Sequence, residues 1–211
     1  MIRAVIFDFG GVLCFHPDPK RIDAAARDLA RPTAEFTAAL WRYRIDYDAG
    51  RLDSDAYWRL VLTALNIPFE AERVAAMVRH EIGFWNQYDQ RVFDWIDQLR
   101  ATGLRTGILS NLPRPIGENL RATAGFLEHF DHVTFSYELL SVKPDAEIYQ
   151  HAIAGARAAP AETLFLDDRS ENIAGARAVG MQAELFESWE QFSLESPARY
   201  ELPTPATARR Q

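Results

Sequence analysis

The 211-residue sequence contains little cysteine, no long apolar stretch and no excess of positive charge. Its single cysteine, Cys14, excludes an intrachain disulfide, is typical of a reducing compartment, and is interpreted as an apolar filler rather than a catalytic thiol. No apolar stretch approaches the roughly 18 residues that cross a bilayer. A strand pattern begins almost at Met1, which leaves no room for a signal peptide. We therefore expect a cytoplasmic protein that does not bind membranes.

Positive charge is scarce: 23 lysines and arginines stand against 30 aspartates and glutamates, for a net charge of −7. Nucleic acids and anionic membranes are bound through clusters of lysine and arginine, so neither is expected as a partner. The apolar fraction of 48% is ordinary for a globular protein. The length suits one sizeable domain, or a core that carries a smaller inserted domain. The oligomeric state is left open.

Five short apolar segments alternate with helical patterns along the chain. Continuous apolar segments of this length are typical of strands that are buried on both faces of a parallel sheet. Pro144 is expected at the start of one helix, and Gly103 and Gly180 at the ends of two others. The alternation predicts an α/β, Rossmann-like fold: a doubly wound parallel sheet with right-handed crossovers. The expected strands are 2–7, 104–110, 132–135, 163–166 and 182–186.

One connection, from His16 to about Gln90, contains helical patterns but no strand pattern. Its clearest amphipathic face runs from Trp58 to Leu65. We interpret this connection as a helical cap that is inserted after the first strand and lies over the carboxyl edge of the sheet. The predicted division is a core at 1–15 and 91–200, a cap at 16–90 and a tail at 201–211. The chain is expected to be extended or frayed from Pro197 onward.

Polar side chains occur at four places where predicted strands end or helices begin. Each has an ordinary interpretation when taken singly, as a turn, a helix cap or a solvated lysine. Their joint occurrence is hard to obtain by chance, and ligands bind outside the carboxyl ends of parallel strands. We therefore expect them to converge. The four clusters are Asp8 with Gly10-Gly11, Ser110-Asn111, Lys143-Pro144-Asp145, and Asp167-Asp168.

These residue types suit a carboxylate nucleophile beside a metal ion. A phosphate dianion does not approach a bare carboxylate unless its charge is balanced. Mg²⁺ would supply that balance through hard oxygen ligands such as Asp8, Asp168 and a main-chain carbonyl. Lys143 would hold Asp8 and the transferring group, while Ser110 and nearby backbone N–H groups would donate to phosphate oxygens. The predicted partner is a small phosphorylated metabolite.

The order of the four clusters resembles the four motifs of the haloacid dehalogenase-like hydrolase superfamily. The resemblance covers essentially the whole chain, and FLDDRSENIAGARAVG is very similar to the fourth motif and its helix. It implies that Asp8 is the nucleophile and a metal ligand, together with the Gly10 carbonyl and Asp168. It also implies that Asp167 acts through a bound water.

Further positions are placed by the same resemblance. Gly11 and Asn111 are expected at the substrate phosphate, and Asn172 falls where members often have another acidic residue. The stretch AGRLDSDAYW resembles the cap of sugar-phosphate phosphatases of the glucose-1-phosphate type. Cap residues that could contact the substrate are Tyr47, Arg51 and Trp58.

One departure from the family pattern affects the chemistry. Family phosphatases usually have a second aspartate, a general acid and base, two residues after the nucleophile; here that position is Gly10. Losing such help typically costs about 10²–10⁴-fold in rate. The loss matters less when the leaving group is good, as in an anomeric or acyl phosphate. His16 is a candidate for replacing the aspartate and for contacting the substrate.

Two other functions stay open. A metal-independent 2-haloacid dehalogenase also lacks the second aspartate, and Trp41-Arg42 weakly resembles the site of its halide-binding arginine. The Asp167-Asp168 pair argues against it, because extra carboxylates repel the nucleophile unless a cation intervenes. The other alternative is a catalytically weak binding or regulatory module.

Overall fold

Five parallel strands form the centre of the molecule in the computed structural model, which describes residues 1–205. Strand β1 (Ala4–Phe7) lies between β2 (Arg105–Ser110) and β4 (Thr163–Asp167). The outer strands are β3 (His132–Phe135), beside β2, and β5 (Gln182–Leu185), beside β4. The predicted sheet is confirmed, with strand ends that differ by at most two residues from those expected.

The helical cap lies between β1 and β2 and has an apolar core of its own. Trp58 and Tyr57 are fully buried there, and the Tyr47 and Tyr57 rings stack at 3.9 Å between centroids. The predicted helical cap is therefore confirmed. Its helices are α1 (Pro19–Asp28), α2 (Thr33–Arg42), α3 (Arg44–Asp48), α4 (Ser54–Ala64) and α5 (Ala71–Phe84).

The remaining helices cover both faces of the sheet, which explains the continuous apolar character of its strands. Val5 and Phe7 pack in the layer that contains α6, whereas Ala4 and Ile6 pack in the layer that contains α9. None of the helices within residues 1–205 has the length and apolar character that a membrane crossing requires. The helices are α6 (Gln90–Ala101), α7 (Arg114–Thr123), α8 (Ser136–Leu139), α9 (Ala146–Ala156), α10 (Ser170–Ala178) and α11 (Trp189–Arg199), with 3₁₀ turns at Gly125–His129 and Pro160–Glu162.

Two local predictions are wrong. The chain is not extended from Pro197, because α11 continues to Arg199 and Leu202 is buried in the core. The Trp95 Nε1–H donates to the Pro203 carbonyl at 2.8 Å, so packing on the core outweighs the local effect of proline. Residues 206–211 of the predicted tail lie outside the described residues. Pro144 does not start α9, which begins at Ala146. Pro144 lies instead in a turn that precedes the helix, in which the Asp145 N–H donates to the Val142 carbonyl at 2.8 Å.

Strand register brings the polar clusters together at one edge of the sheet. Phe7, the last residue of β1, pairs with Ile108 of β2 and Leu166 of β4. Because the strands are parallel and in this register, Asp8 and Asp167 leave the sheet side by side, with Ser110 on the other flank. The carboxyl edge therefore carries the residues that the sequence singled out.

Candidate active site

Lys143 bridges two carboxylates at the carboxyl edge of the sheet. Its Nζ lies 2.8 Å from Asp8 Oδ1 and 2.6 Å from Asp167 Oδ2. All three residues are buried. Contacts of this length between buried charged groups are charge-assisted hydrogen bonds, which are shorter and stronger than neutral ones. The structure therefore brings together a predicted nucleophile, the predicted lysine and one predicted metal carboxylate.

Asp168 completes a compact group of acidic side chains. One carboxylate oxygen from each of Asp8, Asp167 and Asp168 lies within 4.8 Å of the other two. Gly11 makes this approach possible: its φ is +80°, and a Cβ built on it would lie 2.6 Å from Asp168 Oδ2. His16, in the loop that leads to the cap, is largely exposed and places Nε2 3.2 Å from the same oxygen. It thus contacts Asp168 and lines the cavity.

The two adjacent aspartates have different partners. Asp167 Oδ1 accepts from the Arg169 N–H at 2.9 Å, and the Asn172 amide donates to both Asp167 oxygens at 2.9 and 3.0 Å. Together with Lys143, these donors engage both oxygens of Asp167. Asp168 is partly exposed and lines the open cavity. The geometry therefore makes Asp168 the more accessible of the two to an ion.

Asn111 holds the loop that carries Lys143. Its Nδ2 donates to the Lys143 carbonyl at 3.0 Å, and the Lys143 N–H donates to Asn111 Oδ1 at 2.8 Å. The oxygen and the nitrogen of this amide thus both bond to the backbone of Lys143, which positions the lysine. The neighbouring Ser110 is buried and lines the same cavity as Asp8.

The side chains around Asp8 carry more negative than positive charge. Burial raises the pKa of Asp8 to about 7; Lys143 opposes this shift, while Asp167 and Asp168 add to it. Burial alone would lower the pKa of Lys143, but Asp8 and Asp167 raise it above its ordinary value, so the amine stays charged. Three carboxylates against one ammonium suit a divalent cation, and oxygen donors are the ligands that Mg²⁺ prefers. The donor set fits the predicted metal.

A cavity of about 740 Å³ opens above these groups, between the sheet edge and the cap. Small-molecule sites in proteins commonly have this size. The sheet side supplies Asp8, Ser110, Lys143 and Asp168 to its wall, and the cap supplies Trp41, Arg44, Ile45, Asp48, Arg51 and Trp85.

The cap residues at the cavity differ in part from those expected. Arg51 lines it, but Tyr47 and Trp58 are buried in the cap core, because they lie on the face of α3 and α4 that packs inward. Arg42 is exposed beside Tyr43 and does not line the cavity, whereas Arg44, two residues further along, does. Sequence reasoning missed Arg44, although its spacing of four residues from Asp48 is a recognisable helical ion-pair signal.

Trp85 occupies the space beside Gly10. A Cβ built on Gly10 would lie 2.8 Å from Cζ3 and 3.3 Å from Cη2 of this indole. Trp85 follows α5 and packs against both the cap core and the sheet core. The space that a side chain at position 10 would enter is thus occupied by the indole ring of Trp85.

Cys14 lies in the buried layer behind the site. Burial raises the pKa of its thiol to about 12, so the group stays protonated. The sequence interpretation of Cys14 as an apolar filler agrees with this environment.

A helical cap placed after the first strand, above a buried lysine between carboxylates, is the arrangement of a capped α/β hydrolase. The chain belongs to the haloacid dehalogenase-like hydrolase family, which matches residues 2–180. The predicted family is therefore confirmed, and so is the predicted class, a hydrolase of the phosphatase type.

Two relatives cover most of this chain. A sesquiterpene phosphatase of Aspergillus oryzae is 27% identical over 179 residues, which are 85% of this chain and 87% of the relative. A D-ribitol-5-phosphate phosphatase of Bacteroides thetaiotaomicron is 28% identical over 208 residues, which are 90% of this chain and 96% of the relative.

Solved structures share the fold. A mutant haloacid dehalogenase family enzyme from Bacteroides thetaiotaomicron, in complex with magnesium and inorganic phosphate, has a TM-score of 0.74 at 18% identity and covers 91% of this chain and 99% of its own. An L-2-haloacid dehalogenase from Xanthobacter autotrophicus has a TM-score of 0.69 at 21% identity and covers 96% and 85%. At these identities the likeness concerns the fold alone.

The contact between Gly10 and Trp85 predicts the effect of restoring the absent aspartate. Gly10→Asp should destabilise the protein by about 1–3 kcal/mol, as overpacking typically does, and should not raise activity. The free energy of unfolding in urea measures the first effect. Gly125→Asp is the matched control, because a Cβ at Gly125 meets nothing within 4 Å. A Gly10→Asp protein as stable as Gly125→Asp would contradict the steric account.

Proposed function

We propose that this chain is a Mg²⁺-dependent phosphohydrolase that acts on small phosphorylated metabolites through an aspartyl-phosphate on Asp8. The observation that carries the proposal is the Lys143 bridge, with Nζ 2.8 Å from Asp8 and 2.6 Å from Asp167 beside a third carboxylate. A structural ion pair would need one carboxylate for one lysine. Three carboxylates around one lysine, at the bottom of an open cavity, instead suit a site that binds a cation and an anionic substrate together.

Three groups would hold Mg²⁺ in this proposal: Asp8, Asp168 and the Gly10 carbonyl, with Asp167 acting through water. When bound, the ion supplies positive charge that screens Asp8 and the substrate phosphate from each other. The lower accessibility of Asp167, whose oxygens already accept from Lys143 and Asn172, agrees with an indirect role.

The chain's own groups then divide the chemistry. An Asp8 oxygen attacks phosphorus in line, the bond to the leaving oxygen breaks, and water later hydrolyses the aspartyl-phosphate. Lys143 keeps Asp8 ionised and oriented, and Ser110 donates to a phosphate oxygen. The cap excludes bulk water from the cavity. Asn111 and Gly11 keep Lys143 and Asp168 in place.

We propose a polar, hydroxyl-rich metabolite such as a sugar phosphate as the substrate. The cap wall carries Arg44, Asp48 and Arg51, which offer both hydrogen-bond donors and acceptors to hydroxyl groups. The relative named for D-ribitol-5-phosphate supports this class, whereas the relative named for sesquiterpenes points to apolar substrates.

Asp8→Asn tests the nucleophile. An amide is not nucleophilic here, so phosphatase activity should fall to background while the fold persists. Initial rates with p-nitrophenyl phosphate and a thermal melt measure the two effects. Asp55→Asn, at an exposed position of α4, is the matched control and should keep full activity. Activity retained in Asp8→Asn would remove the mechanism.

Metal removal separates the phosphatase from the dehalogenase. EDTA should abolish phosphate release, and added Mg²⁺ should restore it and raise the melting temperature of wild type more than that of Asp168→Asn. Chloride release from 2-chloropropionate that is indifferent to EDTA, without phosphate release, would establish the dehalogenase alternative. A folded protein that turns over neither substrate would favour the binding module.

The pH profile tests the electrostatic role of Lys143. Lys143 lowers the pKa of Asp8 against the effect of burial, so Lys143→Met should leave Asp8 protonated to higher pH. At saturating Mg²⁺ the acidic limb of kcat/KM should therefore move upward by about 1–3 pH units, with a lower plateau. Lys143→Arg keeps the charge and should move the limb less. An acidic limb at the same pH in Lys143→Met would contradict this role.

A further inference from the structure

Residue 10 supplies no proton donor on the leaving-group side of the site, and His16, the candidate replacement, has its Nε2 3.2 Å from Asp168 Oδ2 on the acid-rich side. In an in-line displacement the leaving oxygen departs on the side opposite Asp8, toward the cap. Gly10 contributes no side chain there, and the Trp85 indole fills the space beside its Cα. The negative charge that develops on the leaving oxygen must therefore be stabilised by some other group of the cavity wall.

Two cap arginines, Arg44 and Arg51, line the cavity, and Arg44 is the one that also lies beside Gly10 and Trp85. It lines the 740 Å³ cavity together with Asp8 and Lys143. It also lines an adjoining space of about 30 Å³ whose other walls include Gly10, Trp85 and Ser110. A space of that volume holds a group the size of a water molecule or an ester oxygen. Arg44 thus borders both the phosphate side and the Gly10 side of the site.

The guanidinium of Arg44 is held rigidly from the cap side. Its Nε donates to Asp48 Oδ1 and its Nη1 to Glu81 Oε1, both at 2.6 Å, and its Cζ lies 5.3 Å from the centre of the Trp41 ring. Only 7% of the residue is exposed. Burial alone would lower the pKa of Arg44, but Asp48 and Glu81 raise it above its ordinary value.

Donor capacity remains after these contacts. A guanidinium has five N–H groups. Asp48, Glu81 and the adjacent Tyr57 hydroxyl each accept one hydrogen bond from it, so they use three of the five N–H groups. The remaining N–H groups belong to a side chain that borders the cavity. A buried, oriented cation with spare donors is the kind of group that stabilises a developing oxyanion.

We propose that Arg44 is a catalytic residue that donates a hydrogen bond to the leaving oxygen, in place of the proton donor that residue 10 cannot supply. This inference rests on the proposed function. As Asp8 bonds to phosphorus, the electron pair of the breaking P–O bond stays on the leaving oxygen, beside the Arg44 cation. That oxygen takes its proton from solvent water on release, and the resulting hydroxide is consumed when the aspartyl-phosphate is hydrolysed.

The role of Arg44 limits the class of substrate. Arginine stays charged and does not transfer a proton at neutral pH. Stabilisation without proton transfer suffices when the leaving oxygen is weakly basic, and fails for a simple alkoxide. The site is therefore suited to phosphates with weakly basic leaving groups, such as anomeric sugar phosphates and acyl phosphates.

A leaving-group series tests the role of Arg44. kcat/KM is measured for substituted phenyl phosphates whose phenols differ in pKa, with wild type, Arg44→Lys and Arg44→Met. Removing one donor to an oxyanion costs about 10²–10³-fold. We expect losses of this size for the least acidic phenol and much smaller losses for the most acidic one. Arg42→Met, at the exposed arginine on the preceding helix, should match wild type throughout.

A purely structural role would give a different pattern. Arg44→Met leaves Asp48 and Glu81 without their cation, so Arg44→Met with Glu81→Gln relieves that charge, and Arg44→Lys keeps a positive one. Losses that are equal across the series in the folded variants, or no loss, would overturn the inference while leaving Asp8 chemistry intact. If wild type hydrolyses none of the esters, the proposed function fails as well.

Discussion

The ion pair from Lys143 to Asp8 and Asp167 is the interaction on which the rest of the site depends. Two like charges about 4 Å apart repel by about 4 kcal/mol at the effective dielectric of a protein. One carboxylate oxygen from each of Asp8, Asp167 and Asp168 lies within 4.8 Å of the other two, so the three groups are not fully ionised together without nearby cations. Lys143 supplies one positive charge from within the fold. Burial, with a further contribution from Asp167 and Asp168, raises the pKa of Asp8 to about 7, and the remaining negative charge suits a divalent ion.

The fold serves this charge cluster in a direct way. Parallel register places Asp8 and Asp167 side by side, and the Asn111 amide fixes the loop that brings Lys143 between them. Gly11 lets the backbone pass close to Asp168. On the cap side Arg44 and Asp48 line the same cavity, and Arg44 also pairs with the fully buried Glu81. The cavity thus lies between an acid-rich wall and an arginine-bearing one, which is a suitable environment for a bound anion with a polar substituent.

Much of this arrangement could be predicted from the sequence, and the parts that could not share a physical reason. Strands β1 and β4 are continuous apolar segments; Asp8 directly follows β1 and Asp167 ends β4, so the local pattern is sufficient to predict these two carboxylates. The contact of Trp85 with Gly10 joins residues 75 positions apart through the return of the cap, and no local signal marks it. Arg44 rather than Arg42 lines the cavity because Arg42 ends α2 and Arg44 begins α3, and helical positions two apart do not share a face.

The central claim is that Asp8 becomes covalently phosphorylated during turnover. Borohydride reduction of protein quenched during steady-state hydrolysis converts an aspartyl-phosphate to homoserine, and peptide mass spectrometry locates it. The account predicts homoserine at position 8 only when substrate and Mg²⁺ are both present. Homoserine at position 167 or 168 instead would contradict the claim. So would an unmodified Asp8 in a sample that shows a stoichiometric burst of product.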